Sequence, residues 1–289
     1  MNKTENNVIY IGMPVFNGEQ TIRAALESIV AQDYLEWKLL ISDNCSSDKT
    51  LEICEEFALR DNRIKIIQQS ENIGGWKNFL FVFRNSEGSY FKFQACDDIL
   101  SEDFLRVNME ALQGNNGFVG SSSPDCWDWE FRKKSTPINF EIKGSQRNRI
   151  RSLRRNCWRS HGMFFGIYRR KELAEVITDE MFASKIAILD WLILAGLAKA
   201  GNINRSPDGL IILGSNGASN SKDLTWYTQL NGLYTKLLPY SNFYYFLRKF
   251  PGKLLLGGTI ETFVWIIQLQ LNHMKGLLRL LIGNRIVKS

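Results

Sequence analysis

Four short polar clusters in this 289-residue sequence carry side chains that could do chemistry. The first ends the apolar run VIYIGMPV and holds Pro14, Phe16, Asn17 and Glu19. The second, LLISDNCSSDKT, holds Asp43, Asn44 and Asp48, and the third, ENIGGWKN, holds Glu71, Asn72 and Lys77. The fourth is YFKFQACDDIL, in which Asp97 and Asp98 are adjacent. Neighbouring carboxylates repel, so their pairing at a strand end calls for a cation, a phosphate-bearing ligand or solvent. A fifth carboxylate, Asp190, stands alone in AILDWLILAG. An acid among apolar neighbours has a raised pKa, which suits a general base; the same residue could instead balance the dipole at a helix start.

The elements that must position these residues alternate. VIYIGMPV, WKLLIS (37–42), RIKIIQ (63–68) and SYFKFQ (89–94) read as strands. Between them, Ile22, Leu26, Ile29 and Val30 fall at helical spacing, as do Leu51, Cys54, Phe57 and Ala58, with Ser46 or Ser47 as a cap for the second helix and Asp48 in a capping role beside Ser47. A third helix fits 76–85, and Ser101-Glu-Asp looks like the start of a fourth. Such alternation predicts an α/β fold with a mostly parallel sheet flanked by helices. Ligands bind at the carboxyl ends of such strands, and all four polar clusters lie just past a strand. Further on, GMFFGIYRR (162–170) reads as a strand and 187–201 as an apolar helix around Asp190.

Charge is distributed unevenly. Residues 1–131 hold 11 Lys and Arg against 21 Asp and Glu, whereas 132–171 hold 13 against 1. An acidic first half suits a cation-assisted site, and the basic block suits an anionic partner. The five cysteines form no CxxC pair and there are two histidines, which argues against a zinc site and for a reducing, cytoplasmic setting. The N-terminal segment lacks the apolar core of a signal peptide, and no run of about 18 apolar residues predicts a spanning helix. From about 222 the chain turns aromatic and basic, and from 260 an apolar stripe (Ile260, Val264, Ile267, Leu271, Met274, Leu278) opposes a polar one. The expected division is a domain over 1–221 and a helical, amphipathic C-terminal region over 222–289. That region could lie on an anionic membrane surface, pack on the domain or form a dimer interface; amphipathicity alone does not choose, and the oligomeric state stays open. Nucleic acid is not an expected partner, since no binding motif accompanies the basic block.

PVFNGE, LLISDNCSSDKT, ENIGGWKN and YFKFQACDD, in this order and spacing, resemble the family 2 glycosyltransferases over roughly 8–220. The resemblance implies the GT-A fold and inverting transfer from a nucleotide-sugar, with UDP-linked donors favoured, to a carbohydrate or lipid-linked acceptor in surface polysaccharide assembly. It implies that Pro14, Phe16, Asn17 and Glu19 wrap the nucleotide, that Asp43 accepts from the base, and that Asn72 and Lys77 approach the nucleotide. Asp97 matches the family's metal-binding acid, so Mg²⁺ or Mn²⁺ is the implied cofactor, bridging to the donor diphosphate. The first acid of that motif is replaced here by Ala95, with Cys96 a small filler between. Asp98 takes the plainer role of an exposed acid at a helix start. Asp190 matches the catalytic base; His161 could line the acceptor pocket, and Asn216 stands where the family often has a cationic side chain. Two rivals remain: a sugar-phosphate nucleotidyltransferase, against which the lack of an N-terminal Gly-rich phosphate loop speaks, and a non-catalytic nucleotide-sugar-binding protein on a decayed scaffold.

Overall fold

A computed structural model describes residues 7–128, 140–156, 161–183 and 189–214, with the single position 267. Its frame is a seven-stranded sheet. In chain order these strands are β1 (Ile9–Val15), β2 (Trp37–Asp43), β3 (Ile64–Gln68), β4 (Tyr90–Phe93), β6 (Phe118–Ser122), β8 (Ile167–Arg169) and β9 (Asn202–Arg205). In space they run β3-β2-β1-β4-β8-β6-β9, with β8 antiparallel to both neighbours and every other pair parallel. The chain winds outward from β1 to β3, then returns to place β4 on the other side of β1. That reversal opens a crevice at the carboxyl ends of β1 and β4.

The strand sequences explain the arrangement. IYIGMPV and YFKF are almost wholly buried, as strands covered on both faces must be. Helices cover both. On one face α1 (Ile22–Val30), α2 (Thr50–Arg60) and α4 (Phe104–Gly114) bury Leu26, Ile29, Phe57, Phe104 and Leu105 in one core. On the other, α3 (Gly75–Arg84), α5 (Gln146–Asn156), α6 (Arg170–Val176) and α8 (Leu189–Ala200) contribute Val82, Phe83, Leu153, Leu173 and Leu192 to a second core. A short α7 (Asp179–Ala183) packs beside α3.

A second, three-stranded sheet sits beyond the acidic cluster. It joins β5 (Ile99–Leu100), β10 (Ile211–Leu213) and β7 (Asp125–Trp127), with β10 in the middle. A buried ion pair links the two sheets: Arg205 Nη2, on β9, lies 2.7 Å from Asp125 Oδ1, on β7. The other Asp125 oxygen accepts the Gly162 N–H at 3.1 Å.

The structure corrects several expectations. GMFFGIYRR is not one strand: Gly162–Phe165 is a 3₁₀ turn, only Ile167–Arg169 pairs, and α6 begins at Arg170. Neither serine caps α2. Asp48 takes that part, accepting from the Thr50 N–H at 3.0 Å, while Glu19 accepts from the Lys49 N–H at 3.1 Å. The helix start expected at Ser101-Glu-Asp is there: α4 begins at Phe104 with Asp103 as its N-cap residue, after the short β5. The region from 215 on, including Asn216 and the amphipathic stripe, lies outside the described residues, position 267 excepted.

Removing one member of a buried ion pair leaves the other charge without compensation, which costs roughly 3–5 kcal/mol. Asp125→Ala should therefore lower unfolding stability in urea by about that amount, and a loss under about 1 kcal/mol would show that the pair does not hold the sheets together.

Candidate functional site

Three loops meet at the carboxyl edge of the sheet, tied by side chains bonding to backbone. The register places Val15 beside Asp43 and Asp43 beside Gln68. Asn17 Oδ1 accepts the Ser47 N–H at 2.9 Å, and the Asn17 N–H donates to Ser46 Oγ at 2.9 Å. The Gly18 N–H donates to Thr50 Oγ1 at 2.8 Å, and the Glu19 N–H donates to Asp48 Oδ2 at 3.1 Å. Asn17 and Cys45 hold φ of 50° and 63°, left-handed conformations uncommon outside glycine that the crossed bonds sustain. The third loop joins through Asn44, whose side chain donates to Asn72 Oδ1 at 2.9 Å and accepts the Ile73 N–H at 2.9 Å.

Within this lattice the expected nucleotide residues take different stations. Pro14 is buried in β1, where its missing N–H does no harm to β4, whose ladder ends at Gly12–Phe93. Phe16 is 48% exposed at the rim. Asn17 and Glu19 face solvent while their side-chain oxygens hold the neighbouring loop. Asn72 and Lys77 are exposed, Lys77 in the first turn of α3 beside Asn78, which bonds Ser42. Asp43 is fully buried; its Oδ2 accepts the Ser46 N–H at 3.2 Å, and its Oδ1 has no hydrogen-bond partner. A buried acceptor without a donor costs about 1–3 kcal/mol, which an arriving ligand N–H would recover.

The acidic cluster adjoins the same edge. Cys96 Sγ lies 3.3 Å from where a Cβ on Gly18 would be. Its thiol is pushed up to about 12, by burial first and then by Asp97 and Asp98, so it stays protonated and serves as filler. Asp97 is half-buried. Asp98 does not have the exposed role the sequence suggests. It is 3% exposed, its Oδ1 accepts the Gly214 N–H at 3.0 Å, and its Oδ2 is buried without a partner. Burial, with Asp97 next, pushes its carboxyl up to about 7 against the pull of Gly214 and Lys92. Lys92, wholly buried in β4, is brought down to about 7 by burial and donates to the carbonyls of Phe93 and Phe165 at 3.0 and 2.6 Å. Gly214 is obligatory in space: a Cβ there would lie 2.4 Å from the Asp97 carbonyl and 2.6 Å from Asp97 Cβ.

From Asp97 the wall continues to Asp190 through β10. Gly214 follows Leu213, and Ile211 on the same strand packs against Gly162, where an added Cβ would be 2.7 Å from Ile211 Cγ2. His161 precedes that glycine, with its ring 5.5 Å from Trp127 and 6.1 Å from Trp191. Asp190 occupies the first turn of α8, half-buried at the residue level. Burial raises its pKa, while His161 and the backbone N–H groups of the helix start pull it back. Its position in the first turn is the one the dipole reading describes, and its raised pKa is the property a general base would need. Asp125, Arg205 and Asp98 were not legible as parts of this wall. The one signal for Asp98 was its own doubling of Asp97.

Residues 10–175 match the sequence signature of Glycosyl transferase family 2. The chain belongs to that family. Its family 2 domain is 31% identical over 114 residues to the UDP-Glc:alpha-D-GlcNAc-diphosphoundecaprenol beta-1,3-glucosyltransferase WfgD of Escherichia coli, covering 39% of this chain and 44% of that protein. The chain spans less than half the length of the curated relatives it matches. Among solved structures it resembles S. aureus TarS 1–349 in complex with UDP, with TM-score 0.60 and 16% identity over 85% of this chain and 82% of that one. It also resembles the mannosyltransferase PcManGT from Pyrobaculum calidifontis in complex with GDP-Man and Mn²⁺, with TM-score 0.52 and 16% identity over 76% and 59%. At these identities the likeness bears on fold, and the fold is GT-A.

The Asp98 carboxyl has a pH signature. Its pKa is raised from 3.8 to about 7, so the folded state keeps a proton that the unfolded chain releases. The stabilisation from this group is full below the unfolded value and is lost as pH rises through about 7. Asp98→Asn keeps an acceptor for Gly214 and removes that loss, so the Tm difference, variant minus wild type, should grow as pH rises from about 4 to about 7. A difference that stays flat across this range would remove the buried-acid assignment.

Proposed function

We propose that this family 2 domain transfers a sugar from a nucleoside-diphosphate sugar, with inversion, to a hydroxyl of a carbohydrate or lipid-linked oligosaccharide. The observation that carries the reading is the meeting of the Asn17, Asp43 and Asn72 loops at one sheet edge, continuous through Cys96 and Gly214 with Asp97. The uncompensated Asp43 oxygen supports a base offering an N–H, as the imide of uracil does, and so a UDP-linked donor. Phe16 at the rim offers a face on which that base can stack.

The residues fit a divalent cation in a limited way. Among the described residues no group of three or more His, Cys, Asp or Glu could hold a metal by themselves. Mg²⁺ or Mn²⁺ bound beside substrate phosphates needs only one or two protein carboxylates, and Asp97 supplies one. A cation held there would offset the charge gathering on the departing diphosphate. The chain's own part is to keep Asp97 in register through Gly214 and Asp98.

Asp190 is the candidate proton acceptor. A carboxylate held above its usual range accepts a hydroxyl proton more readily, and such assistance contributes about 10²–10⁴-fold. Trp127, His161 and Trp191 flank the acceptor side with aromatic faces.

Assembly of bacterial surface polysaccharide is the setting the WfgD and TarS likenesses support. No described helix is long and apolar enough to cross a membrane. We place the domain on the cytoplasmic side, where its basic block would meet the inner face of the membrane. The 222–289 region is proposed as a separate amphipathic appendage.

Asp190→Asn should keep UDP affinity within about twofold while losing transfer by about 10²–10⁴-fold, read as UDP release from UDP-sugars with acceptor present. Full activity in that variant would refute the base assignment. Asp97→Asn should abolish the extra rise in Tm that Mn²⁺ gives over UDP alone, because a ligand that binds only the folded state stabilises it. An unchanged Mn²⁺ increment would move the metal elsewhere.

A further inference from the structure

The turn that carries Asp97 is held by one neighbouring side chain. Ala95–Asp98 is a four-residue turn in which the Asp98 N–H donates to the Ala95 carbonyl at 3.4 Å, a long bond for closing a turn. The Gln94 side chain supplies what that bond lacks. Its Nε2 donates to the Asp98 carbonyl at 2.9 Å and to the Ala95 carbonyl at 3.2 Å, so one amide grips both ends of the turn. The backbone N–H of the same residue donates to the Gly12 carbonyl at 3.0 Å and ties that grip to β1.

Gln94 is wholly buried, and the other end of its amide gains nothing. Oε1 has no hydrogen-bond partner, and a buried acceptor left without a donor destabilises the fold. Turning the amide over does not relieve this, because both carbonyls need a donor and only the nitrogen end provides one. A methionine would fill the same space with no orphaned oxygen. The side chain therefore matters for its two N–H bonds. The surroundings of the turn are fixed by other means. Lys92, two residues back in β4, donates to the carbonyls of Phe93 and Phe165 at 3.0 and 2.6 Å. Gly214 closes against Asp97 from β10 so tightly that a Cβ there would lie 2.4 Å from the Asp97 carbonyl.

We propose that Gln94 is a positioning residue, which by gripping Ala95 and Asp98 sets the Asp97 carboxylate for a divalent cation bound with the donor diphosphate. The cation's part rests on the transferase reading; the grip does not. Being wholly buried, Gln94 acts through the backbone of the turn and touches no ligand. Precision matters at this place because Asp97 is the one carboxylate assigned to the cation. Mg²⁺ takes its ligands at about 2.0–2.1 Å, so a carboxylate displaced by about 1 Å no longer binds it.

The test measures Mn²⁺ binding to the full chain at saturating UDP, read from the electron paramagnetic resonance signal of free Mn²⁺, with no sugar transfer required. Gln94→Met removes the amide at similar volume. It should bind Mn²⁺ about tenfold or more weakly, with UDP affinity in the absence of metal kept within about twofold. Gln94→Asn, whose amide falls one methylene short of the carbonyls, covers the case in which Gln94→Met does not fold; it should weaken Mn²⁺ by about threefold or more. Asn108→Leu is the control for general destabilisation. Asn108 is also wholly buried, but donates to the Phe104 carbonyl at 2.8 Å and to Ser123 Oγ at 2.7 Å, in a network separate from the turn. That variant should lower Tm and leave Mn²⁺ affinity unchanged. Wild-type Mn²⁺ affinity in a folded Gln94 variant, or an equal loss in Asn108→Leu, overturns the proposal. The underlying reading fails differently: wild type would then bind UDP but no Mn²⁺, which removes the cation and with it the role given to Gln94.

Discussion

The unequal length of two neighbouring ladders governs this molecule. β4 pairs with β1 only as far as Gly12, while β1 runs on to Val15 paired with β2 alone. The last three residues of β1 are therefore buried but unpaired on the β4 side, where a central strand would normally be hydrogen-bonded on both sides. Pro14 fits there because no ladder bond to β4 is demanded of it. The turn after Phe93 fills part of the gap, and Gln94 sets its edge by donating its backbone N–H to the Gly12 carbonyl at 3.0 Å. Across that gap the first loop and the acidic loop meet, Gly18 against Cys96.

Charge burial behind the crevice is the second organising feature. Lys92, Asp98, Asp125 and Arg205 are all 6% exposed or less, an arrangement that costs free energy unless each charge is met. Lys92 is met by two carbonyls, Asp98 by a backbone N–H, and Arg205 by Asp125. These groups sit where β4, β7, β9 and β10 come together, so the polar interior joins the two sheets at the place where the acidic loop must be held. Hydrophobic packing alone would not specify that register as sharply, since apolar contacts are non-directional.

Much of the frame could be read from the sequence, because β1 to β4 and α1 to α3 are local patterns: apolar runs of strand length alternating with helical periodicity. The convergence of polar clusters followed from parallel strands. Other parts could not be read, for physical reasons. The α5 helix hides in a strongly polar stretch where Ile150 and Leu153 alone mark an inner face. GMFFGIYRR carries three conformations in nine residues, shorter than any periodicity can resolve. Asp98 looked like a helix-start acid because its partner, Gly214, is 116 residues away. Long-range pairing of that kind leaves no trace in local pattern.

The crossed bonds between the first two loops have an evolutionary corollary. Asn17, Glu19, Asp48 and Thr50 each hold a loop other than their own, so altering one disturbs two backbones at once. Drift at those positions is constrained by architecture even if the donor changes. Change is left to side chains outside the lattice, such as the exposed Phe16 and Lys77, which can be exchanged without unfastening the scaffold beneath them.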